Sequence, residues 1–415
     1  MNKREERVAG RLMRYAKIET TSDPHAAAYP TSDKQGELAK LLAEELTALG
    51  VPEVFYDEQA YIVYGRLPGN LPEGRTAKAV GLIAHMDTSP DAPGKDVKPR
   101  IVSQYDGTDI LLNEEQGIVM RTADYPKLLC YIGQDLIVTD GTTLLGADDK
   151  AGIASIMTLL EEYIENPALP HGDICVAFTP DEEVGGLARD LDLARFGADA
   201  AYTVDCDHLG YYSAETFNAA AAKISITGRG VHPGTAKGIM INAAEIAAEF
   251  ICRLPEKEKP QYTDGYDGFY YVTDCRGCCE ETRIELIIRD FDAARFQQKK
   301  DYLAAVTAEL NEKYGEGRIR LMLTEQYRNM GEVVGKFPYL AERLHRAIAM
   351  SGVTPVNEPF RGGTDGAALS FRGLPCPNLS SGYENAHGRF EYVPVQSMAK
   401  NVEILQNLLT LYIEE

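Results

Sequence analysis

Two adjacent carboxylates, Asp148 and Asp149, stand just before residues 153–164, whose apolar spacing predicts a helix. Like charges side by side at the end of a buried element are costly unless a positive charge lies between or near them. A metal ion is the compensating charge that we expect here. The pair therefore predicts a metal site at the start of this helix, with further ligands supplied by the rest of the chain.

Two histidine-containing segments offer such ligands. His85 follows the apolar run 79–84, which predicts a strand, and Asp87 stands two residues further on, close enough to fix the tautomer of the imidazole. A hydrogen-bonded His–Asp pair without a metal is the alternative for this segment. His387 follows a second strand-like run, 376–379. An open α/β sheet places its site at the carboxyl ends of strands, so both histidines are candidate ligands.

Acidic residues follow two more predicted strands. Asp181, Glu182 and Glu183 come after residues 173–178, and Asp205 comes directly after another short strand. Three successive acids, taken alone, are more often a solvated loop. Here the surroundings are apolar and rich in glycine, which favours a site. Two adjacent glutamates can divide the work, one as a metal ligand and the other as general base on a metal-bound water.

Together, five strand ends or helix starts carry His, Asp, Glu, Asp and His. Imidazole and carboxylate ligands without thiolates suit zinc, cobalt or manganese. Five ligands exceed one tetrahedral catalytic site, but they fit two metal ions that share a carboxylate bridge. Because such centres activate water, the residues predict a metal-dependent hydrolase.

The elements that must position these residues alternate between helix and strand in the first part of the chain. Helices are predicted at 37–49 and 149–165, and strands at 79–84, 173–178 and 200–204. Alternation of this kind predicts an α/β domain with a mostly parallel sheet.

The pattern changes after about residue 215. The next segment predicts strand, helix, strand and helix at 221–228, 242–254, 282–289 and 293–313. This is enough for a small α+β domain, and the candidate ligands lie on both sides of it. A closing helix is predicted at 396–412. We therefore expect one larger domain in two parts, 1–215 and 329–415, with 216–328 inserted between them.

Composition narrows the function further. Against 42 Lys and Arg stand 63 Asp and Glu, a net charge of −21, which argues against nucleic acid or an anionic membrane surface as a partner. No apolar run is long enough to span a bilayer, and the charged N-terminal segment has no signal-peptide core. These features predict a cytoplasmic protein.

The remaining cysteines and histidines carry less information. Cys275, Cys278 and Cys279 have no second cysteine pair to complete a zinc site, so we expect reduced thiols in a loop or strand start, with a redox or metal role as the alternative. His25 and His171 lie in proline-containing turns, which predicts exposure to solvent. His208 is expected to be structural.

The chain resembles the peptidase T family, the tripeptide aminopeptidases, which belong with the di-zinc peptidases that include carboxypeptidase G, aminoacylase and carnosinase. The resemblance covers essentially the whole chain. The matching motifs begin with His85-Met86-Asp87-Thr88 and continue through residues 142–152, 181–185, 202–205, 217–220, 231–238, 361–366 and 373–379. The resemblance implies an α/β catalytic domain with a mostly parallel sheet, interrupted by a smaller α+β lid domain, and makes a homodimer plausible.

The resemblance also implies a role for each candidate ligand. Asp148 would bridge two zinc ions, with cobalt or manganese possible in their place. Asp149 is then expected to be a plain acid in the first turn of the helix, or a supporting partner of the ligands. His85 and Asp205 would complete one metal site, and Glu183 and His387 would complete the other.

Catalytic and substrate-binding roles are implied in the same way. Glu182 would be the general base on the bridging water, and Asp87 would orient the first histidine ligand. His232 resembles the lid histidine that helps to hold the oxyanion, although a turn residue capping a loop is the alternative. Arg289 matches an arginine expected to grip the carboxylate of the substrate, unless it forms a strand-end ion pair with a neighbouring aspartate. Asn218 is a weaker candidate for substrate contact.

One loop departs from the family pattern. The family usually has Gly-Gly-Tyr-Asn, one further residue and then His-Gly around the last ligand, whereas residues 381–388 here contain Glu384. We expect a cytoplasmic tripeptide aminopeptidase that acts through a hydroxide held between two zinc ions. A dipeptidase, an amidohydrolase for N-acyl amino acids, and a non-catalytic relative that binds peptides or sequesters metal are the alternatives.

Overall fold

The computed structural model describes residues 1–413, and the chain divides into two compact units. The first unit contains residues 1–214, 330–358 and 364 onward, and the second contains residues 215–329 and 359–363. The sequence placed 359–363 in the larger domain, which differs from this division. The N–H of Phe360 donates to the carbonyl of Glu215 at 2.9 Å, and the guanidinium of Arg361 donates to the carbonyls of Gly265 and Asp267. These bonds hold the short segment to the second unit.

Within residues 1–413 the helices are α1 (Lys3–Tyr15), α2 (Gln35–Leu49), α3 (Ala147–Glu165), α4 (Leu193–Phe196), α5 (Ala243–Arg253), α6 (Ala293–Tyr314), α7 (Gly331–Val334), α8 (Tyr339–Met350), α9 (Asp365–Phe371) and α10 (Val395–Leu411). The strands over the same residues are β1 (Glu53–Asp57), β2 (Ile62–Leu67), β3 (Val80–His85), β4 (Arg100–Val102), β5 (Ile110–Asn113), β6 (Ile118–Met120), β7 (Leu136–Val138), β8 (Ile174–Thr179), β9 (Ala200–Cys206), β10 (Tyr211–Ser213), β11 (Asn218–Thr227), β12 (Phe269–Gly277), β13 (Glu281–Asp290), β14 (Ile319–Tyr327), β15 (Val356–Asn357), β16 (Asn378–Ser380) and β17 (Tyr392–Pro394).

The first unit is organised by a mixed sheet with the strand order β1-β2-β8-β3-β9-β16-β10-β15. Its centre is parallel, because β8, β3, β9 and β16 all run in one direction. Strand β2 pairs antiparallel with β1 and β8, and β10 pairs antiparallel with β16 and parallel with β15. The central strands β3, β8 and β9 are buried along their whole length, as expected for parallel strands covered on both faces. The α/β class predicted from the sequence is therefore correct.

Helix α3 forms the centre of the core of this unit. All its residues from 147 to 160 are buried, and it packs against α1, α10, β3 and β9. Its middle, residues 151–160, is apolar on nearly every side, as expected for a helix inside a core. Gly152 permits the close approach to β9, since a Cβ atom there would lie 2.3 Å from the carbonyl oxygen of Val204.

The second unit is an antiparallel sheet with the order β12-β13-β11-β14, packed against α5 and α6. Alternate residues of β11 and β13, such as Ile224, Ile226, Ile284 and Leu286, are buried in its core. The sequence predicted these two strands and both helices. It missed β12 and β14, the two edge strands, because most of their residues are exposed on both faces and show no clear alternation.

Several predictions for single residues can be compared with the structure. His171 is buried rather than exposed, because its ring packs against that of Tyr163 at 4.8 Å between centroids. All eight cysteines, each among the described residues, are free thiols, and Cys275 and Cys278 are exposed. No helix within residues 1–413 combines the length and apolar character that crossing a bilayer requires.

Candidate metal centre

The candidate ligands meet at one edge of the first unit's sheet. His85 ends β3 and Asp205 lies near the end of β9, and these strands are parallel. Glu183 lies in a short 3₁₀ turn just after β8, which is parallel to β3. Because parallel strands end at the same edge, three residues that are distant in sequence come together there.

Asp148 lies between two imidazoles. Its Oδ1 atom is 3.0 Å from Nε2 of His85, and its Oδ2 atom is 3.2 Å from Nε2 of His387. Each oxygen of one carboxylate therefore faces a different histidine. This is the arrangement that a bridging carboxylate would need, and it agrees with the role implied by the resemblance.

The other two predicted ligands complete the cluster. Nε2 of His85 is 3.5 Å from Asp205, and Nε2 of His387 is 2.9 Å from Glu183. Ligand atoms of His85, Asp148 and Glu183 all lie within 4.8 Å of one another. The structure thus brings all five predicted ligands into one cluster, and their role as metal ligands stays a proposal.

Asp149 lies inside the same cluster. We expected a plain acid in the first turn of a helix or a supporting partner, but its carboxylate is fully buried and forms a second compact group with His85 and Asp205. Its Oδ1 atom accepts a hydrogen bond from Ser381 Oγ at 2.7 Å, and its Oδ2 atom has no partner among the described residues. Asp149 also has non-helical backbone angles, as does Asp148. The second carboxylate of the pair therefore belongs to the site.

The ionisation of the cluster favours a cation. Burial raises the pKa of Asp205 to about 6 and that of Glu183 to about 7. Burial alone would lower the pKa of His387, but the carboxylates of Asp148 and Glu183 raise it to about 11. Burial would raise the pKa of Asp148, but the two imidazoles hold it well below its usual range. The cluster has more carboxyl groups than imidazoles, so it lacks compensating positive charge. A bound metal ion would supply that charge.

Two buried carboxylate oxygens without hydrogen-bond partners in the described part of the chain also fit a bound metal ion. Glu183 Oε1 and Asp149 Oδ2 are buried without a hydrogen-bond partner among residues 1–413. Buried polar atoms normally have partners, so each such atom requires an explanation. A cation bound by carboxylate oxygens and imidazole nitrogens would satisfy both atoms.

Asp87 holds two parts of the site together. Nδ1 of His85 donates to the backbone carbonyl of Asp87 at 3.0 Å and lies 3.3 Å from its Oδ1 atom, so both oxygens favour the tautomer that leaves Nε2 facing the cluster. The same carboxylate accepts the backbone N–H groups of Glu182 and Glu183 at 3.0 and 3.2 Å. These contacts fix the turn that carries both glutamates, and they place Asp87 where it could orient the histidine, a role that stays a prediction.

Glu182 has the environment of a general base. Burial, followed by the charge of Asp205, raises the pKa of its carboxyl group well above the ordinary value. Neither of the compact ligand groups within residues 1–413 includes it. A carboxylate made more basic and left outside the ligand set suits proton transfer.

Asp181, the first acid of the run, is structural. Its buried carboxylate accepts hydrogen bonds from the N–H and the hydroxyl of Thr31 and from Nε2 of Gln35. Its φ angle is 61°, so the chain turns sharply between β8 and Glu182. These contacts tie the glutamate turn to the segment that precedes α2.

Sequence reasoning missed three buried charged residues around the site. Glu391 accepts three backbone N–H groups of the segment that leads into Asp148, and Lys150 donates to the carbonyl of Ile18 at 2.9 Å. Asp365 accepts from Thr179 at 2.5 Å, and its other oxygen has no partner among the described residues. Lys150 could have been noticed as a cation inside an apolar helix, whereas Glu391 and Asp365 give no local signal.

Glu384, in the loop that departs from the family pattern, is also buried. Its carboxylate accepts a hydrogen bond from the hydroxyl of Tyr131 and lies 2.8 Å from Nδ1 of His208. Its backbone pairs with that of Tyr392 in both directions. These contacts anchor the altered loop, and the contact of His208 with Glu384 is compatible with the structural role expected for it.

The three predicted substrate-binding residues lie in the second unit. His232 is exposed, and its Nδ1 atom accepts the N–H of Gly234 at 3.1 Å, a contact that fits the alternative of a turn residue. The amide of Asn218 donates to the carbonyls of Asp290 and Phe291, and its oxygen accepts the N–H of Asn329. Asn218 thus joins backbone segments within this unit. Its predicted contact with substrate, like that of His232, stays a prediction.

Arg289 is half-buried on β13. Its guanidinium donates to the carbonyls of Ala220 and Ile288 and lies over the ring of Tyr327 at 5.3 Å. Burial lowers the pKa of the guanidinium. Asp290 lies near Arg295 and Lys299 instead, and Asp292 accepts the N–H of Arg295, so the expected alternative, a strand-end ion pair with either aspartate, is not what holds Arg289.

Comparisons with known proteins give one consistent result. The chain is 50% identical over 402 residues to peptidase T of Alkaliphilus oremlandii, which covers 97% of this chain and 98% of that protein. It is 47% identical to peptidase T of Geobacillus kaustophilus, covering 97% of each. Residues 214–318 match the family model described as a peptidase dimerisation domain.

Solved structures show the same similarity. The aminopeptidase PepT from Bacillus cereus superposes with a TM-score of 0.76 at 25% identity, covering 99% of each chain. A dinuclear metal-binding peptidase of the M20 family from Bacillus subtilis superposes with a TM-score of 0.62 at 13% identity, covering 99% of each. At that identity the second similarity concerns the fold alone.

Proposed function

This chain belongs to the peptidase T family, and we propose that it is a metal-dependent aminopeptidase that removes the N-terminal residue from tripeptides. The position of Asp148, with one oxygen towards His85 and the other towards His387, is the observation that carries the proposal. A carboxylate placed in this way can bridge two metal ions. The family name supports the class of substrate.

The proposed cofactor is a pair of zinc ions, for which cobalt or manganese could substitute. Asp148 would contact both ions, with His85 and Asp205 on one side and Glu183 and His387 on the other. Asp149, which lies within reach of His85 and Asp205, would support the first of these sets. When bound, the ions supply Lewis-acid activation of water and of the scissile carbonyl group.

In this proposal Glu182 transfers a proton from the attacking water to the leaving amine. Its carboxylate accepts a proton from the attacking water, whose oxygen forms a bond to the scissile carbonyl carbon. The same proton then passes to the nitrogen of the leaving amine as the C–N bond breaks, so that a free amino acid and a dipeptide are released. The raised pKa of Glu182 suits both steps, because the group must take up and release a proton near neutral pH.

Residues of the second unit are proposed to bind the substrate. The imidazole of His232 is exposed and can donate a hydrogen bond to the oxygen that gains negative charge. The planar guanidinium of Arg289 suits the C-terminal carboxylate of a short peptide.

The oligomeric state and the cellular location of the protein are proposed from two separate observations. The match of residues 214–318 to a peptidase dimerisation domain supports a homodimer. The eight free thiols are typical of proteins in a reducing compartment, which supports the cytoplasm.

A panel of peptides tests the substrate class. The purified protein with zinc should hydrolyse trialanine faster than dialanine or tetraalanine, and it should leave N-acetyltrialanine intact. Glu182→Ala, prepared in the same way, controls for contaminating peptidases. Equal hydrolysis of the acetylated peptide would refute an aminopeptidase, and faster hydrolysis of dialanine would favour a dipeptidase.

A further inference from the structure

Glu391 lies four residues after His387 and is directed at a different part of the chain. Its side chain is buried, with 1% of the residue exposed. One carboxylate oxygen accepts the backbone N–H groups of Leu145 and Gly146, both at 2.7 Å, and the other accepts the N–H of Asp148 at 2.9 Å. A single carboxylate therefore holds three N–H groups of one short segment.

That segment needs such an acceptor. Gly146 has a φ of 72°, and Asp148 has a ψ of 108°, so residues 144–148 are not held by a regular helix. The N–H groups at the start of a helix have no partners within the helix. Since this segment is buried, the acceptors must come from the protein itself, and Glu391 supplies both of the required oxygens.

A buried lysine, Lys150, lies near this contact. Nζ of Lys150 would lie 3.6 Å from a Cβ atom added at Gly146, so the ammonium group is close to the same segment. The nearby carboxylates that act on it are those of Glu391 and Asp87. The carboxyl group of Glu391 thus faces three N–H dipoles, and the amino group of Lys150 lies close to the same segment.

The contact joins two ligand-bearing segments. Asp148 contributes one of the three N–H groups, and His387 lies on the segment that carries Glu391. The carboxylate of Asp148 in turn lies 3.2 Å from Nε2 of His387. A shift of either segment would change the separation of these two ligands.

We propose that Glu391 is a positioning residue of the metal centre, which sets the place of Asp148 relative to His387 by holding the backbone of residues 145–148. The inference rests on the proposed function, in which Asp148 bridges two metal ions. Residues that position ligands typically alter metal affinity or activity by about 10–100-fold when replaced.

Glu391→Gln tests the proposal with little change in shape. The amide keeps one acceptor oxygen but directs an N–H group at one of the backbone donors. We expect Zn²⁺, titrated against a chromophoric chelator, to bind at least one of its two sites about 10–100-fold more weakly than in the wild type. Activity on trialanine should recover at saturating Zn²⁺ without a change in KM.

Asp135→Asn is the matched control. Asp135 is also a buried carboxylate that accepts a backbone N–H, that of Gln104 at 2.9 Å, but it lies outside the cluster of ligands. This variant should bind both zinc ions as the wild type does, whatever its thermal stability. If Glu391→Gln keeps wild-type affinity for both ions, the proposal is wrong.

A measurement on the wild type covers the case in which Glu391→Gln does not fold. In metal-free protein, hydrogen–deuterium exchange should show the amides of Leu145, Gly146 and Asp148 already protected. Protection that develops only after Zn²⁺ is added would overturn the proposal, because the metal would then order the segment. A wild-type protein that binds no Zn²⁺ would overturn the proposed function as well, which separates the two failures.

Discussion

Replacing Glu182 with glutamine removes the group assigned to proton transfer and keeps the shape of the side chain. The turn around it should survive, because Asp87 holds the backbone N–H groups of Glu182 and Glu183 and not their side chains. Neither compact ligand group among the described residues contains Glu182. We therefore expect Glu182→Gln to bind two metal ions and to lose almost all turnover.

The expected fall in kcat follows from the proton-transfer role of Glu182. A positioned acid–base group contributes about 10²–10⁴-fold to a rate, and each tenfold step corresponds to about 1.4 kcal/mol of transition-state stabilisation. The raised pKa of Glu182, which is partly buried, suits a base. We expect kcat for trialanine to fall by about 10³–10⁴-fold with KM unchanged, since the group is not expected to bind the ground state.

The assay pairs rate with metal content. Initial rates of trialanine hydrolysis give kcat and KM, and elemental analysis of the same sample gives metal ions per chain. Glu183→Gln is the comparison, because Glu183 lies 2.9 Å from His387 and should be a ligand. That variant should lose metal as well as activity.

Either of two results would refute the reasoning. If Glu182→Gln loses metal while Glu183→Gln keeps it, the roles of the two glutamates are exchanged. If Glu182→Gln keeps both ions and loses less than about tenfold in kcat, the base lies elsewhere.

Three further predictions concern binding and stability. Arg289→Ala should chiefly raise KM for trialanine, because the guanidinium is proposed to bind the carboxylate of the substrate, and Michaelis kinetics will show this. Zinc should bind more tightly at pH 8 than at pH 6 in chelator competition, because Glu183, with a pKa of about 7, and His387, with a pKa of about 11, must lose protons to the ion. Glu45→Gln should lower the free energy of unfolding at pH 7 by about 1–3 kcal/mol, because Glu45 accepts hydrogen bonds from Arg11 and Tyr15.

The loss of stability in Glu45→Gln should depend on pH in one direction. Burial would raise the pKa of Glu45, but Tyr15 and Arg11 lower it below the ordinary value. The stabilisation is therefore present above about pH 4.5 and is lost as the pH falls below it, so denaturant unfolding should show the variant and wild type converging in acid.

Other outcomes would contradict these three predictions. A collapse of kcat in Arg289→Ala with KM unchanged would mean that the guanidinium is not a carboxylate clamp, and Arg289→Lys tests whether charge alone suffices. Zinc affinity that is equal at pH 6 and pH 8 would mean that the ion displaces no protons. A stability difference for Glu45→Gln that persists at pH 3 would not be due to ionisation of this carboxyl group.

The strands that present the ligands could be predicted because they are buried on both faces. Strands β3, β8 and β9 appear in the sequence as short apolar runs, and His85 and Glu183 follow two of them closely. Edge strands β12 and β14 could not be found in this way, since their exposed residues follow no regular alternation.

Residues that depend on distant partners were harder to predict. Asp149 matched a local rule for the first turn of a helix, but Ser381, 232 residues away, and the cluster around it place it in the site. Glu391 is 243 residues from Asp148 and gives no signal in its own neighbourhood. His171 stands in a turn that predicts exposure, and only its packing against Tyr163 shows that it is buried. In each case tertiary contacts decided the outcome.

Titration of zinc into metal-free protein, with trialanine hydrolysis measured at each step, tests the central claim most directly. If Asp148 bridges two ions within one centre, activity should rise until two zinc ions are bound per chain and then stay constant. Full activity at one ion per chain, or no hydrolysis of trialanine at any zinc concentration, would contradict the account.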